Sequence, residues 1–144
     1  MKKALAIIMT VIMSVFALGC WEQGEPKFIR ERLRKGGVIL PETAKYVYED
    51  GWGFQDGFGY YVYTFEEYSQ DWLSENSFEK GKDEKFEEEY NTYFDLFGED
   101  SVPPEKYCVD FEKDYYYCTV FGEGYVFYIV FIPERLTLIA FYKY

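Results

Sequence analysis

The residues able to do chemistry are few, and the first fact about them is an absence: the 144-residue chain contains no histidine. Serine and cysteine triads that need an imidazole base are therefore excluded, and so is the zincin pattern of two histidines one helical turn apart. No glycine-rich loop runs into Lys-Ser or Lys-Thr, so the phosphate cradle of the P-loop is missing. Asp50 and Asp56 do not supply the alternating acidic ligands of an EF-type calcium loop. The acid–base groups that remain are 26 Asp and Glu residues. A glycosidase works with two carboxyls, one of them held protonated. Among so many carboxylates some pair is always close, so proximity alone identifies nothing. A carboxylate-based hydrolase stays as an alternative, but no catalytic residue, metal or cofactor is expected, and the chain reads as a binding protein.

One local pattern stands out. Asp50-Gly51-Trp52-Gly53-Phe54 is followed by Asp56-Gly57-Phe58-Gly59-Tyr60, so Asp-Gly-aromatic-Gly-aromatic recurs at a six-residue step. Glycine lets the backbone come close to another surface, and rings can cover backbone left open. Trp52, Phe54, Phe58 and Tyr60 would then present rings to a sugar, a peptide or a partner, which makes a carbohydrate- or peptidoglycan-associated module the second alternative. The competing explanation is a long hairpin loop folded back over its own core.

The N-terminus carries an address. Lys2 and Lys3 precede an uncharged run from Ala4 to Leu18, and Gly19 stands directly before Cys20. A basic start, an apolar run of this length and a small residue at the end describe a secretory signal. The run falls short of the ~20 residues a membrane span requires. Ala17-Leu18-Gly19-Cys20 resembles the lipobox of bacterial lipoproteins, with Ala17 where a larger aliphatic residue is usual. That resemblance implies cleavage before Cys20, a diacylglycerol on its thiol and further acylation, palmitate for example. It covers residues 1–20 and implies attachment, not activity. Trp21 follows the cysteine, where an Asp would resemble an inner-membrane retention signal. The expected location is the outer membrane facing the periplasm in a diderm host, and otherwise the outer face of the cytoplasmic membrane.

Charge narrows the partners. The formal net charge is −11, and losing Lys2 and Lys3 takes it to about −13. Phosphate recognition relies on Lys and Arg, so nucleic acid is a poor partner. A basic protein is the better one, as for an inhibitor or immunity-type protein, although acidity also simply keeps an exported chain soluble. The exception is Lys27 to Lys35, where Lys27, Arg30, Arg32, Arg34 and Lys35 face a single acid, Glu31. Lying a few residues from the anchor, this stretch is expected to meet anionic head groups or to turn its charges to solvent.

The elements that must position these residues follow from periodicity. The expected organisation is a signal peptide at 1–19, a lipidated cysteine with tether and short basic helix at 20–36, and a single α+β domain at 37–144. Pro26 starts the basic helix, and Gly36-Gly37 ends it. Strands are expected at 44–49 and 58–65, forming an N-terminal hairpin. Thr64-Phe65-Glu66-Glu67 has the form of a capping box and predicts a helix over about 65–75. A second helix is expected over 83–97, with Phe86, Tyr90, Tyr93, Phe94 and Phe97 on one stripe. Strands at 107–111, 115–121, 125–132 and 136–143 follow, with connections of hairpin length. Residues 125–132 are apolar on both faces and must be covered on both sides. The expectation is a C-terminal antiparallel meander extended by the N-terminal hairpin, with two or three short helices on one face.

With Cys20 given to lipid, Cys108 and Cys118 remain as a pair, and an exported protein favours their oxidation. A hairpin turning at Glu112-Lys113-Asp114 would set Cys108 opposite Cys118, at about 4.5 Å between Cα atoms, within disulfide reach. The lipid reading is tested directly. Wild type should partition into membranes, Cys20→Ser should abolish lipid labelling, and an inhibitor of signal peptidase II should make precursor accumulate. Release of wild type as a soluble protein cut elsewhere would overturn it.

Overall fold

A computed structural model of the chain describes residues 24–52, 57–99 and 101–144, with only the backbone of Trp52. Cys20 and Phe54 lie outside the described residues. The chain is α+β, as its periodicity predicts. Helix α1 (Lys27–Lys35) leads into strands β1 (Lys45–Trp52) and β2 (Phe58–Thr64), a short α2 (Gln70–Glu75), a two-residue β3 (Glu79–Lys80) and the long α3 (Glu84–Gly98). A 3-10 turn (Glu105–Tyr107) then precedes β4 (Tyr116–Gly122), β5 (Tyr125–Ile132) and β6 (Thr137–Lys143). The six strands form one antiparallel sheet in the order β1-β2-β6-β5-β4-β3. The C-terminal meander is therefore extended by the N-terminal hairpin, with β6 joining the two.

Alternation along the strands divides the core in two. Phe127, Ile129, Phe131, Leu138, Ala140 and Tyr142 point to one side, where they meet Ile29 and Leu33 of α1 and Leu73 of α2. Tyr128, Val130, Ile132, Ile139 and Phe141 point to the other, against Phe86, Tyr90 and Phe97 of α3. The helices thus lie on both faces of the sheet, not on one. β5 and β6 have no polar face to leave open, so a one-sided arrangement would strand Phe141 and Val130 in water. α1 is part of this core: Ile29 and Leu33 are fully buried.

Three local expectations change. Thr64 does not cap a helix; it pairs with Lys45 and Thr137, and the Phe65 N–H donates to the Leu136 carbonyl. The sheet ladder takes the residue that the Thr-x-x-Glu pattern offered, and α2 starts later, with Ser69 Oγ accepting from the Trp72 N–H at 3.1 Å. α3 begins where expected, capped by Asp83, which accepts from the Phe86 N–H at 2.8 Å. The segment 107–111 is not a strand. It follows Pro103-Pro104, turns through the 3-10 helix, and its carbonyls are taken by side chains: Arg135 donates to the Lys106 carbonyl at 2.8 Å and to the Cys108 carbonyl at 3.2 Å.

Without that strand the proposed hairpin register disappears, and the disulfide with it. β4 pairs with β3 and β5 instead. Cys118 is buried among the residues beneath α1, while Cys108 lies on the α3 side, its Sγ 3.5 Å from the Pro103 carbonyl. Both thiols are free. Burial pushes Cys118 up to about 12, and also raises Cys108, so neither is a ready thiolate. Alkylation of native protein without reductant should therefore spare Cys118, and alkylation in denaturant, still without reductant, should modify both. A mass short by the two thiol hydrogens, with no labelling in denaturant, would restore the disulfide.

Candidate functional site

The structure commits much of the aromatic repeat to the core. Tyr60 is fully buried. Its ring stacks on Phe97 at 5.8 Å, its hydroxyl donates to the Tyr107 carbonyl at 2.7 Å, and the buried Tyr90 hydroxyl lies 3.2 Å away. Phe58 is half-buried, stacked on Phe141 and edged by Tyr93 and Phe97. Tyr60 is thus corrected from partner surface to core, and Phe58 packs largely inward. Of Trp52, the backbone pairs with Phe58 across the hairpin. Gly51 and Gly59 face each other in the ladder, and a Cβ on Gly51 would sit 2.7 Å from the Phe58 carbonyl. Gly51 thus serves the close packing of two backbones, and Gly59 makes room for the Tyr61 ring.

The outer surface of α3 is a better candidate. At 100° per residue, Phe86, Tyr90, Phe94 and Phe97 fall toward the sheet and Glu84, Glu88 and Asp95 fall opposite. All three of these acids are exposed. Lys85 is the only base in the helix, and it reaches Glu89 at 4.0 Å. Leu96 is 47% exposed on the helix, and Val102, just beyond it, is 75% exposed. The sheet-side acids are held in place. Tyr115 donates to Glu87 at 2.6 Å, and Tyr117 lies 3.0 Å from Asp83 and 3.1 Å from Glu79. Bonds from the Phe86 N–H and Tyr117 keep Asp83 below its ordinary carboxylate range. Glu31 also titrates low, because of Lys35. Both shifts run opposite to what a proton-holding general acid needs. Among the described residues no cluster of three or more Cys, Asp or Glu could hold a metal ion.

The opposite face of the sheet carries the basic helix, and two of its arginines turn out to be structural. Arg30 grips Glu25 through Nε at 2.8 Å and Nη2 at 3.2 Å, and donates to the carbonyls of Pro41 and Ala44. The Tyr63 hydroxyl donates to the same Glu25 at 3.0 Å. Arg32 lies over the rings of Tyr125, Phe28 and Tyr142 and donates to the Tyr142 hydroxyl at 2.8 Å. A shallow cleft of about 590 Å³ lies between Gly24-Glu25 and the Lys45–Glu49 stretch of β1. Neither arginine anchor was visible in the sequence, where both read as surface charge; their partners, Glu25 and Tyr142, are 5 and 110 residues away.

No protein-family model matches the chain, and neither a curated protein nor a solved structure matches it. The site is therefore read from its own geometry.

The tyrosines give that geometry a measurable property. Burial pushes Tyr48, Tyr61, Tyr115 and Tyr128 up to about 12. For an acid whose folded pKa is raised, the native state holds its proton longer than the unfolded chain does. The associated stability is complete below the unfolded pKa of about 10 and is lost as pH rises toward 12. Urea midpoints should be flat near neutrality and fall steeply above about pH 10, with the phenolates of Tyr48, Tyr61, Tyr115 and Tyr128 appearing together with unfolding. Ionisation of these four tyrosines, followed by Tyr→Phe difference spectra, well below the unfolding transition would contradict this packing.

Proposed function

We propose that the chain is an exported lipoprotein, anchored through Cys20 on a bacterial envelope membrane, whose domain is a non-enzymatic binding protein for a basic partner, of inhibitor or immunity type. The observation that carries this reading is the separation of charge by the sheet. On one side α1 holds Lys27, Arg30, Arg32, Arg34 and Lys35 with the single acid Glu31. On the other, α3 holds Glu84, Glu87, Glu88, Glu89 and Asp95 with the single base Lys85. The two helices cover opposite core clusters. Anchoring next to α1 would leave the acidic helix facing away from the membrane, with Leu96 and Val102 as the apolar part of its contact. An acidic face steers a basic protein by long-range attraction and rejects acidic ones.

The glycan alternative loses support from the burial of Tyr60 and the packing of Phe58, and now depends on Trp52 and Phe54. The hydrolase alternative has no carboxyl held protonated in its favour among those with a resolved shift.

Residues 20–144 with Cys20→Ser, immobilised, should capture a basic protein from envelope extract. Glu84→Lys, Glu88→Lys and Asp95→Lys together should slow association by about tenfold or more. Raising salt from about 0.1 M to about 1 M, which shortens screening from about 10 Å to about 3 Å, should release the partner. Capture of a ligand that ignores both the reversals and the salt would reject the acidic face.

A further inference from the structure

We infer that the outer face of α1 is a membrane-docking surface for anionic lipid head groups, so that the domain sits on the bilayer in one orientation. This rests on the lipid-anchor reading of Cys20 and adds to it the face that meets the membrane.

The argument begins at the strap. Arg30 holds Glu25 by two bonds, and Tyr63 holds it by a third. The chain is therefore fixed to the domain from Glu25 onward. Only five residue steps separate Glu25 from Cys20, and even fully extended they span at most about 18 Å. A lipid at Cys20 thus brings α1, which starts two residues after Glu25, close to the head groups.

Helix geometry then selects the residues. Ile29 and Leu33 define the buried direction, and Arg30 and Arg32, on either side of it, are engaged with Glu25 and with Tyr142. The side facing directly away carries Lys27, Glu31, Arg34 and Lys35, all exposed. Lys35 neutralises Glu31 across 2.8 Å, which leaves Lys27 and Arg34 as the uncompensated charges of the stripe. Phe28, 47% exposed, stands beside this stripe on the helix, and Ile39, 61% exposed, follows the helix with its backbone bonded to Trp72 and Asn76. A basic stripe with flanking apolar side chains matches the boundary between head groups and acyl chains.

The acids of α3 do not cancel this attraction. α3 lies beyond the sheet, two layer spacings of roughly 10 Å from α1, more than twice the screening length of about 8 Å at physiological salt.

The test uses the lipidated full chain, reconstituted into vesicles of phosphatidylcholine with roughly a third phosphatidylglycerol, and separately into neutral detergent micelles. A water-soluble amine reagent reports exposure at each lysine. In the anionic vesicles Lys27 and Lys35 should react about fivefold more slowly than in micelles, the factor expected for one basic residue's attraction at the surface. Lys85, on α3, should react equally in both. The variant Phe28→Ser with Arg34→Gln keeps both reporter lysines and should lose most of the protection. Equal reactivity of Lys27 and Lys35 in vesicles and micelles, in protein that floats with the vesicles, would overturn the docking face and leave the anchor standing. Protein that fails to float would remove the anchor and the docking face together. Protection that persists in micelles and grows with protein concentration would assign the face to a second copy of the chain and overturn lipid docking.

Discussion

The structure depends on one constraint: the central strands β5 and β6 have no polar face. Every residue from Phe127 to Ile132 is buried, and so is every residue from Thr137 to Tyr142. A strand of this kind cannot lie at a surface, so the chain must supply cover on both sides of the sheet. α1 and α2 provide it on one side and α3 on the other. This arrangement permits α1 to be basic and α3 acidic without imposing either. Each helix has one stripe committed to the sheet and another left for solvent, and what the solvent stripe carries is free to vary.

Tyrosine connects these layers to the charges outside them. A phenylalanine would bury as well, but the hydroxyl at the tip lets a buried ring end on a polar group. Tyr115, Tyr117 and Tyr128 end on Glu87, Asp83, Glu79 and Glu89 near α3. Tyr63 and Tyr142 end on Glu25 and Arg32 near α1. Tyr90, Tyr60 and the Tyr107 carbonyl form a short chain inside the core. The chain has 16 tyrosines, a residue that suits an interface and a strand face alike, and many of them are internal struts.

How much could be read in advance depended on how local the signal was. α3 was legible because its apolar stripe and its final glycine lie within one continuous segment. β5 was legible because eight apolar residues in a row leave few alternatives. Thr64 misled because a local capping pattern lost to hydrogen bonds from β6, more than seventy residues away. Tyr107–Phe111 misled because its composition suits a strand, while Arg135 and the two preceding prolines settle it otherwise. The register that would set Cys108 opposite Cys118 needs Tyr107–Phe111 as a strand, and without it only the exported compartment favours their oxidation. In the candidate site, Glu87, Glu88 and Glu89 stand together in the sequence, which does not show that Tyr115 holds Glu87 and Tyr128 holds Glu89. The engaged state of Arg30 and Arg32 was hidden entirely, since a charged side chain on a helix looks the same whether it meets water or a ring.

The position of β6 has a consequence for how the molecule comes into being. It is the last strand in the sequence, yet it lies in the middle of the sheet, with β2 on one side and β5 on the other. Until residues 137–143 arrive, the hairpin of β1 and β2 has no partner strand, and Ile29 and Leu33 have only part of their floor. For a chain delivered N-terminus first, from a ribosome or through a pore, native assembly waits for the final segment. Closure then joins segments far apart in sequence, at the high cost in chain entropy that slows such topologies. The six-stranded sheet is thus complete only when β6 slides into the gap between β2 and β5.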